Sequence, residues 1–224
     1  MGTSGGAGGD LGARMRDDWD RRAREDSWAA IATGESAGLA FALSGLRDAG
    51  QLLHDVHRHL TPATRVLEIG CGVGRLLRYL ALIFPELHGV DVSPEMIRQG
   101  REYLGSFPQV ELRAGDGRTL AGYGDAYFGL VYSYVVFQHI PDPEVVRGYV
   151  REAGRVTAPG GIFKFQIKTR PWKGETGALD TWVGASLDPE TVRGWLADAG
   201  FEVLAGYPAD ERSLWVIARR SGVQ

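Results

Sequence analysis

The chain has 224 residues, a formal charge of −3 at pH 7, and 44% hydrophobic, 24% charged and 10% aromatic residues. Such a length suits one domain with an appendage and a sizeable core, and the composition excludes global disorder. The single cysteine, Cys71, excludes an internal disulfide framework or a cysteine-rich zinc module, and the near-neutral charge offers no electrostatic footprint for nucleic acid.

Residues 1–12 are rich in glycine and read as a flexible tail, with neither the basic nor the apolar region of a signal peptide. No run of about 18 apolar residues occurs, so a cytoplasmic protein with no membrane partner is expected. Residues 13–30 are dense in charge and carry Met15, Trp19, Ala23 and Ser27 at a spacing of four. That spacing predicts an amphipathic helix, either a solvated one or a lid over a site. Residues 34–60 read as a second helix, with Leu39, Leu43, Leu46, Leu52, Leu53 and Val56 on its apolar side and Thr61-Pro62 as its stop. His54, His57 and His59 near its end read as surface residues. On a helix His57 and His59 point about 200° apart, and no metal site is expected.

From residue 65 onward strands alternate with helices. Strands are predicted over 65–69, 87–92, 110–114, 129–133, 161–168, 201–204 and 214–219. Helices are predicted over 75–84, 94–104, 143–157 and 188–199, the last with Asp188 as N-cap and Pro189 in its first turn. The alternation predicts an α/β fold, a doubly wound, mostly parallel seven-stranded sheet with helices on both faces. The short link before the last strand predicts an antiparallel end. The expected organisation is a tail over 1–12, a helical lid over 13–60 and a Rossmann-like domain over 61–224.

The most informative stretch is Val66-Leu67-Glu68-Ile69-Gly70-Cys71-Gly72-Val73-Gly74-Arg75. A strand runs into three alternate glycines, which permit a tight turn and a close approach of ligand to backbone. The next strand ends at Asp91, 21 residues after Gly70, where a carboxylate can accept from ribose hydroxyls. A dinucleotide loop usually reads G-x-G-x-x-G, whereas here Arg75 stands at the final glycine. Glu68 would repel a pyrophosphate and favour a cation. A nucleoside bearing an amino acid suits these charges better than a nicotinamide dinucleotide, the rival reading.

These residues resemble the first motif of class I S-adenosylmethionine-dependent methyltransferases, and four further stretches agree in order. Gly89 to Ile97 resembles the second motif, Gly115-Asp116-Gly117 the segment that brackets adenine, Leu130 to Pro141 the fourth motif, and Arg155 to Gly161 the turn before the fifth strand. Thr157-Ala158 departs from the leucine and lysine frequent at that turn. The resemblance implies S-adenosylmethionine as cofactor and S-adenosylhomocysteine as product. It implies that Glu68, Gly70, Cys71 and Gly72 surround the methionine part, and that Asp91 takes the ribose diol. Val92 and Met96 would flank the adenine, Asp116 and Gly117 would bind its amino edge, and Ser133 or Tyr134 would lie near the methionine end.

His139 stands after the fourth strand, at the rim where doubly wound sheets bind ligands, and its ordinary pKa near 6.5 suits a base that takes a proton from an oxygen or nitrogen acceptor. The alternative role is to shape its loop by local hydrogen bonding. Gln166 and Lys168 are polar on a strand whose interior position favours apolar residues on both faces, so they are candidate pocket residues. With Trp19, Gln138 and Trp182 they form the candidate acceptor set; Trp172 is a further candidate wall, while Trp195 and Trp215 read as core. The expected partner is a small molecule, with methylation at O, N or C. The alternatives are a protein or peptide methyltransferase and a nucleoside-binding relative that transfers nothing. The sequence leaves the oligomeric state open.

Overall fold

The computed structural model describes residues 7–32, 38–171 and 181–222, with side chains from residue 11 onward. The strands are β1 (Val66–Ile69), β2 (Leu87–Asp91), β3 (Val110–Ala114), β4 (Phe128–Ser133), β5 (Thr157–Lys168), β6 (Phe201–Pro208) and β7 (Ser213–Arg220). The helices are α1 (Ala7–Ile31), α2 (Leu39–His54), α3 (Leu77–Leu80), α4 (Pro94–Tyr103), α5 (Pro143–Val156) and α6 (Pro189–Asp198). The seven strands form one sheet in the order β3-β2-β1-β4-β5-β7-β6, parallel except for β7, which runs against both neighbours. The α/β expectation, with its antiparallel last strand, therefore holds. The order reverses between β1 and β4, and that switch point sets where a ligand can lie.

Side-chain alternation divides the core into two layers. Leu67, Ile69, Val131, Phe163, Phe165 and Ile167 point to α5 and α6. Val66, Leu130, Tyr132, Ile162 and Trp215 point to α2, α3 and α4. Three helices start with one device: Ser93, Asp142 and Asp188 cap α4, α5 and α6, each followed by proline. The cap oxygen accepts from a first-turn N–H, and proline fills a position that needs no donor.

Two expectations on the N-terminal helices change. Helix α1 begins at Ala7, inside the stretch read as tail, because Leu11 is buried and Gly12 lies against the Asp116 carbonyl. It is broken at Asp26, whose backbone is extended and whose carboxylate accepts from Ala29 N–H (3.0 Å), restarting the helix. Helix α2 is rotated from the expected face. Leu39, Leu43 and Leu46 are 75%, 54% and 53% exposed, while Phe41, Gly45, Asp48, Ala49 and Leu52 are buried. The cause is close contact with α3. A Cβ on Gly45 would stand 2.7 Å from the Tyr79 ring, and Asp48 takes a salt bridge from Arg75 at 2.7 Å. Leucine periodicity is blind to a helix that turns its small and acidic side inward.

On β5 the alternating polar residues are buried. The Lys164 ammonium is fully enclosed and donates to the carbonyls of Gln51 and Leu52 and to Asp55 (2.7 Å), tying the end of α2 to the sheet. Trp215 packs over that ammonium at 4.5 Å.

Candidate active site

The C-terminal ends of β1, β2 and β4 open into a cavity of about 290 Å³, with α1 as its outer wall. Its floor is the loop after β1. Gly70, Gly72 and Gly74 all have positive φ (73°, 53° and 82°), a conformation that favours glycine. At Gly70 a side chain would also collide with Val136, whose methyls stand 2.4 and 2.6 Å from the Cβ position.

The carboxylates sit on either side of this loop. Asp91 accepts from the N–H groups of Gly72 and Ser93, each at 2.9 Å, which fixes the loop to the start of α4. Burial nonetheless pushes the Asp91 carboxyl above its ordinary value. Glu68 is 3% exposed, and its Oε2 has no hydrogen-bond partner among the described residues. Burial pushes its pKa up to about 8, with Tyr132 and Arg75 pulling only partway back. The buried Tyr132 hydroxyl beside it has no partner other than that carboxyl among the described residues. Burial likewise raises the Cys71 thiol, which suits a packed loop residue and not a nucleophile.

Glu68, Gly70, Cys71, Gly72, Asp91, Val92, Met96 and Tyr134 all line the cavity. Asp116 and Gly117 lie beside it and do not line it. The Asp116 carboxylate accepts from Arg118 N–H, Thr119 N–H and the Thr119 hydroxyl, and these bonds outweigh burial to hold its pKa down. Gly117 packs against Val92 and Met15. Ser133 is buried behind the wall, donating to the Ile69 carbonyl at 3.1 Å.

Of the acceptor set, Trp19, Gln138 and Trp182 line the cavity with His139. The three rings cluster, His139 lying 5.4 Å from Trp19 and 5.1 Å from Trp182, and Arg22 stacks over Trp182 at 4.5 Å. His139 Nδ1 donates to the Trp182 carbonyl at 2.5 Å. Because a carbonyl only accepts, this places the ring proton on Nδ1 and leaves Nε2 as the accepting nitrogen, with the Gln138 amide nitrogen 3.4 Å from it. Gln166 and Lys168 are buried and do not line this cavity. Gln166 Oε1 instead accepts from Val135 N–H (3.2 Å). Trp172 lies outside the described residues.

Helix α1 is fastened over the cavity by polar bonds. Asp20 accepts from the Ser93 hydroxyl and from Glu95 N–H (3.0 Å), capping α4 from outside, and Asp18 accepts from the Thr181 hydroxyl (2.5 Å).

Sequence reasoning missed Arg75, Val135 and Tyr149 as wall residues. Arg75 also borders a second, polar chamber of about 530 Å³ with Ser44, Arg47 and Asp48, and Tyr134 and Val135 are shared by both spaces. Arg75 was visible as the residue replacing a glycine. Nothing marks Val135 or Tyr149 in sequence, since an apolar residue after a strand and a tyrosine on an amphipathic helix both look like core.

Residues 67–165 match the methyltransferase domain family. Over 98 residues the chain is 32% identical to a ubiquinone biosynthesis O-methyltransferase of Xanthomonas oryzae, an alignment covering 43% of this chain and 40% of that protein. Over 104 residues it is 32% identical to 2-methyl-6-phytyl-1,4-hydroquinone methyltransferase of Synechocystis, covering 46% and 31%. The chain thus spans two fifths or less of these two relatives' length. Among solved structures, magnesium protoporphyrin IX methyltransferase of Synechocystis with bound S-adenosylhomocysteine superposes with a TM-score of 0.72 at 19% identity, covering 95% of this chain and 100% of that one. The [4+2]-cyclase SpnF superposes at 0.65 with 18% identity, covering 79% and 80%, so one backbone serves different chemistries.

Proposed function

We propose that this chain, whose residues 67–165 match the methyltransferase domain family, is an S-adenosylmethionine-dependent enzyme of class I that moves a methyl group to an oxygen or nitrogen of a small, ring-bearing acceptor. The observation that carries the reading is the cavity wall that Glu68 and Asp91 share, two carboxyls on either side of the glycine loop. A cationic amino group suits the Glu68 carboxyl, and a ribose diol suits the Asp91 carboxylate. The glycine loop leaves room for the chain between the two groups, which a Cβ at Gly70 would fill. These residues fit S-adenosylmethionine, with Met15, Val92 and Met96 as the apolar wall for its base. When bound, the cofactor supplies an already activated sulfonium methyl, so the protein's task is to align an acceptor and keep out water.

Trp19, His139 and Trp182 offer the flat faces against which an aromatic acceptor would lie. His139 Nε2 is the group that would take the acceptor's proton. The quinone-type chemistry in the relatives' names supports a ring-bearing acceptor. In this reading α1 is the lid.

The test is calorimetric titration with S-adenosylhomocysteine, followed by transfer of a labelled methyl from S-adenosylmethionine to a panel of phenols and hydroquinones. Binding with transfer to at least one of them is expected. Binding without transfer to any acceptor would move the reading to a nucleoside-binding relative, and tight binding of NAD instead would end it.

A further inference from the structure

Val135 follows β4 with a φ of 57°, in the left-handed region. A β-branched residue is a true outlier there, and such backbone persists only where its surroundings over-determine it. The surroundings are on view. Gln166 lies on β5 with 8% exposure, paired with Trp215 of antiparallel β7 at an enclosed position that favours apolar side chains, and its Oε1 accepts from Val135 N–H at 3.2 Å. The next residue, Val136, occupies the space that a side chain at Gly70 would need. One step earlier, the Tyr134 ring stacks on Trp215 at 5.6 Å. The turn is thus held on three sides, and its middle residue stands in the wall common to the cavity and the polar chamber.

We infer that Gln166 is a positioning residue. By holding Val135 in its left-handed conformation it seats Val136 against Gly70, and so sets the shape of the glycine loop where ligand binds. The assignment rests on the proposed function, because it takes S-adenosylhomocysteine as the ligand of that loop. It replaces the expectation that Gln166 touches the acceptor. A backbone that needs this support implies a specific remedy, since glycine adopts a positive φ without it.

The experiment is a double-mutant cycle read by calorimetry with S-adenosylhomocysteine. Gln166→Leu removes the acceptor of the Val135 N–H at similar volume, and it should weaken binding about tenfold. In the Val135→Gly background the same change should weaken it less than about threefold, because glycine holds the turn unaided. The cycle cancels whatever the lost valine methyls contribute to the wall. Val135→Gly alone should also raise the thermal midpoint, whereas glycine at an unstrained position lowers it. Equal penalties in the two backgrounds, no penalty at all, or a lowered midpoint would overturn the inference while wild-type binding keeps the proposed function intact. A wild-type chain that ignores S-adenosylhomocysteine would overturn both.

Discussion

Glu68 places opposite demands on stability and on binding, and Glu68→Gln separates them. In the unfolded chain its carboxyl titrates near 4.3, whereas burial in the fold pushes it to about 8. The folded state therefore holds a proton that the unfolded state has already released, and stability falls as pH rises from about 4 to 8. At 1.36 kcal/mol per pKa unit, the deficit at pH 7 is about 3–4 kcal/mol as an order of magnitude. Glutamine never ionises, but its amide is buried without a full set of partners, a cost of about 1–3 kcal/mol. The net gain for Glu68→Gln is about 0–3 kcal/mol, or up to about 12 °C in midpoint for a domain of this size. The variant should also lose most of the midpoint's pH slope between about 5 and 8. Binding should move the other way. Above about pH 8, where Glu68 is ionised in the fold, losing a charge-assisted hydrogen bond to a cationic amino group costs about 1.5–3 kcal/mol, about 10–150-fold in affinity for S-adenosylhomocysteine, and the penalty shrinks as pH falls and the wild-type carboxyl takes up its proton. Scanning calorimetry at several pH values and titration at about pH 8.5 read the two effects. A Glu68→Gln variant that is less stable at pH 7 and binds as tightly as wild type would refute the reasoning.

Other perturbations follow from the same geometry. Asp91→Ala should weaken S-adenosylhomocysteine binding by about 1.5–3 kcal/mol in titration calorimetry, since both the proposed ribose acceptor and the anchor of Gly72 N–H are lost. His139→Ala should retain that affinity within a few-fold and lose about 10²–10⁴ in turnover on an oxygen acceptor. Full turnover would exclude it as the base. In the Lys164–Asp55 pair, burial lowers the lysine pKa despite Asp55. Burial alone would raise the Asp55 carboxyl, but bonds from Lys164, Tyr207 and His54 hold it at about 2. Removing the aspartate strands an enclosed ammonium, so Asp55→Ala should cost about 3 kcal/mol in urea unfolding, while Lys164→Met should stay within about 1 kcal/mol of wild type. The Asp55 contribution should be complete above about pH 4 and fade as pH falls through about 2, which acid titration of the midpoint checks.

Sequence alone supports the sheet and the glycine loop because both rest on local signals. Ser93-Pro94, Asp142-Pro143 and Asp188-Pro189 announce helix starts, and Glu68, Gly70 and Asp91 sit at spacings that a strand-turn-helix-strand unit converts directly into proximity. The rotation of α2 was not legible, because it depends on Asp48 meeting Arg75 across 27 residues, a pairing that no periodicity encodes. On β5, polarity on an interior strand was visible, but polarity has two outlets, a ligand or a buried partner. Gln166 finds Val135 N–H, and Lys164 finds the end of α2. Asp116 shows the same ambiguity, with its oxygens taken up by its own turn.

The cap that Asp20 places on α4 has a consequence for where this protein can be cut. Ser93 and Glu95 take their outside acceptor from a residue that precedes the glycine loop by 50 positions, and Met96 in the same turn forms part of the cavity wall. A chain shortened past Asp20 would lose more than an appendage. It would expose two donors at the head of α4 and loosen the turn that carries Met96, so the N-terminal helix, which alternation of strands and helices leaves out, takes part in shaping the cavity.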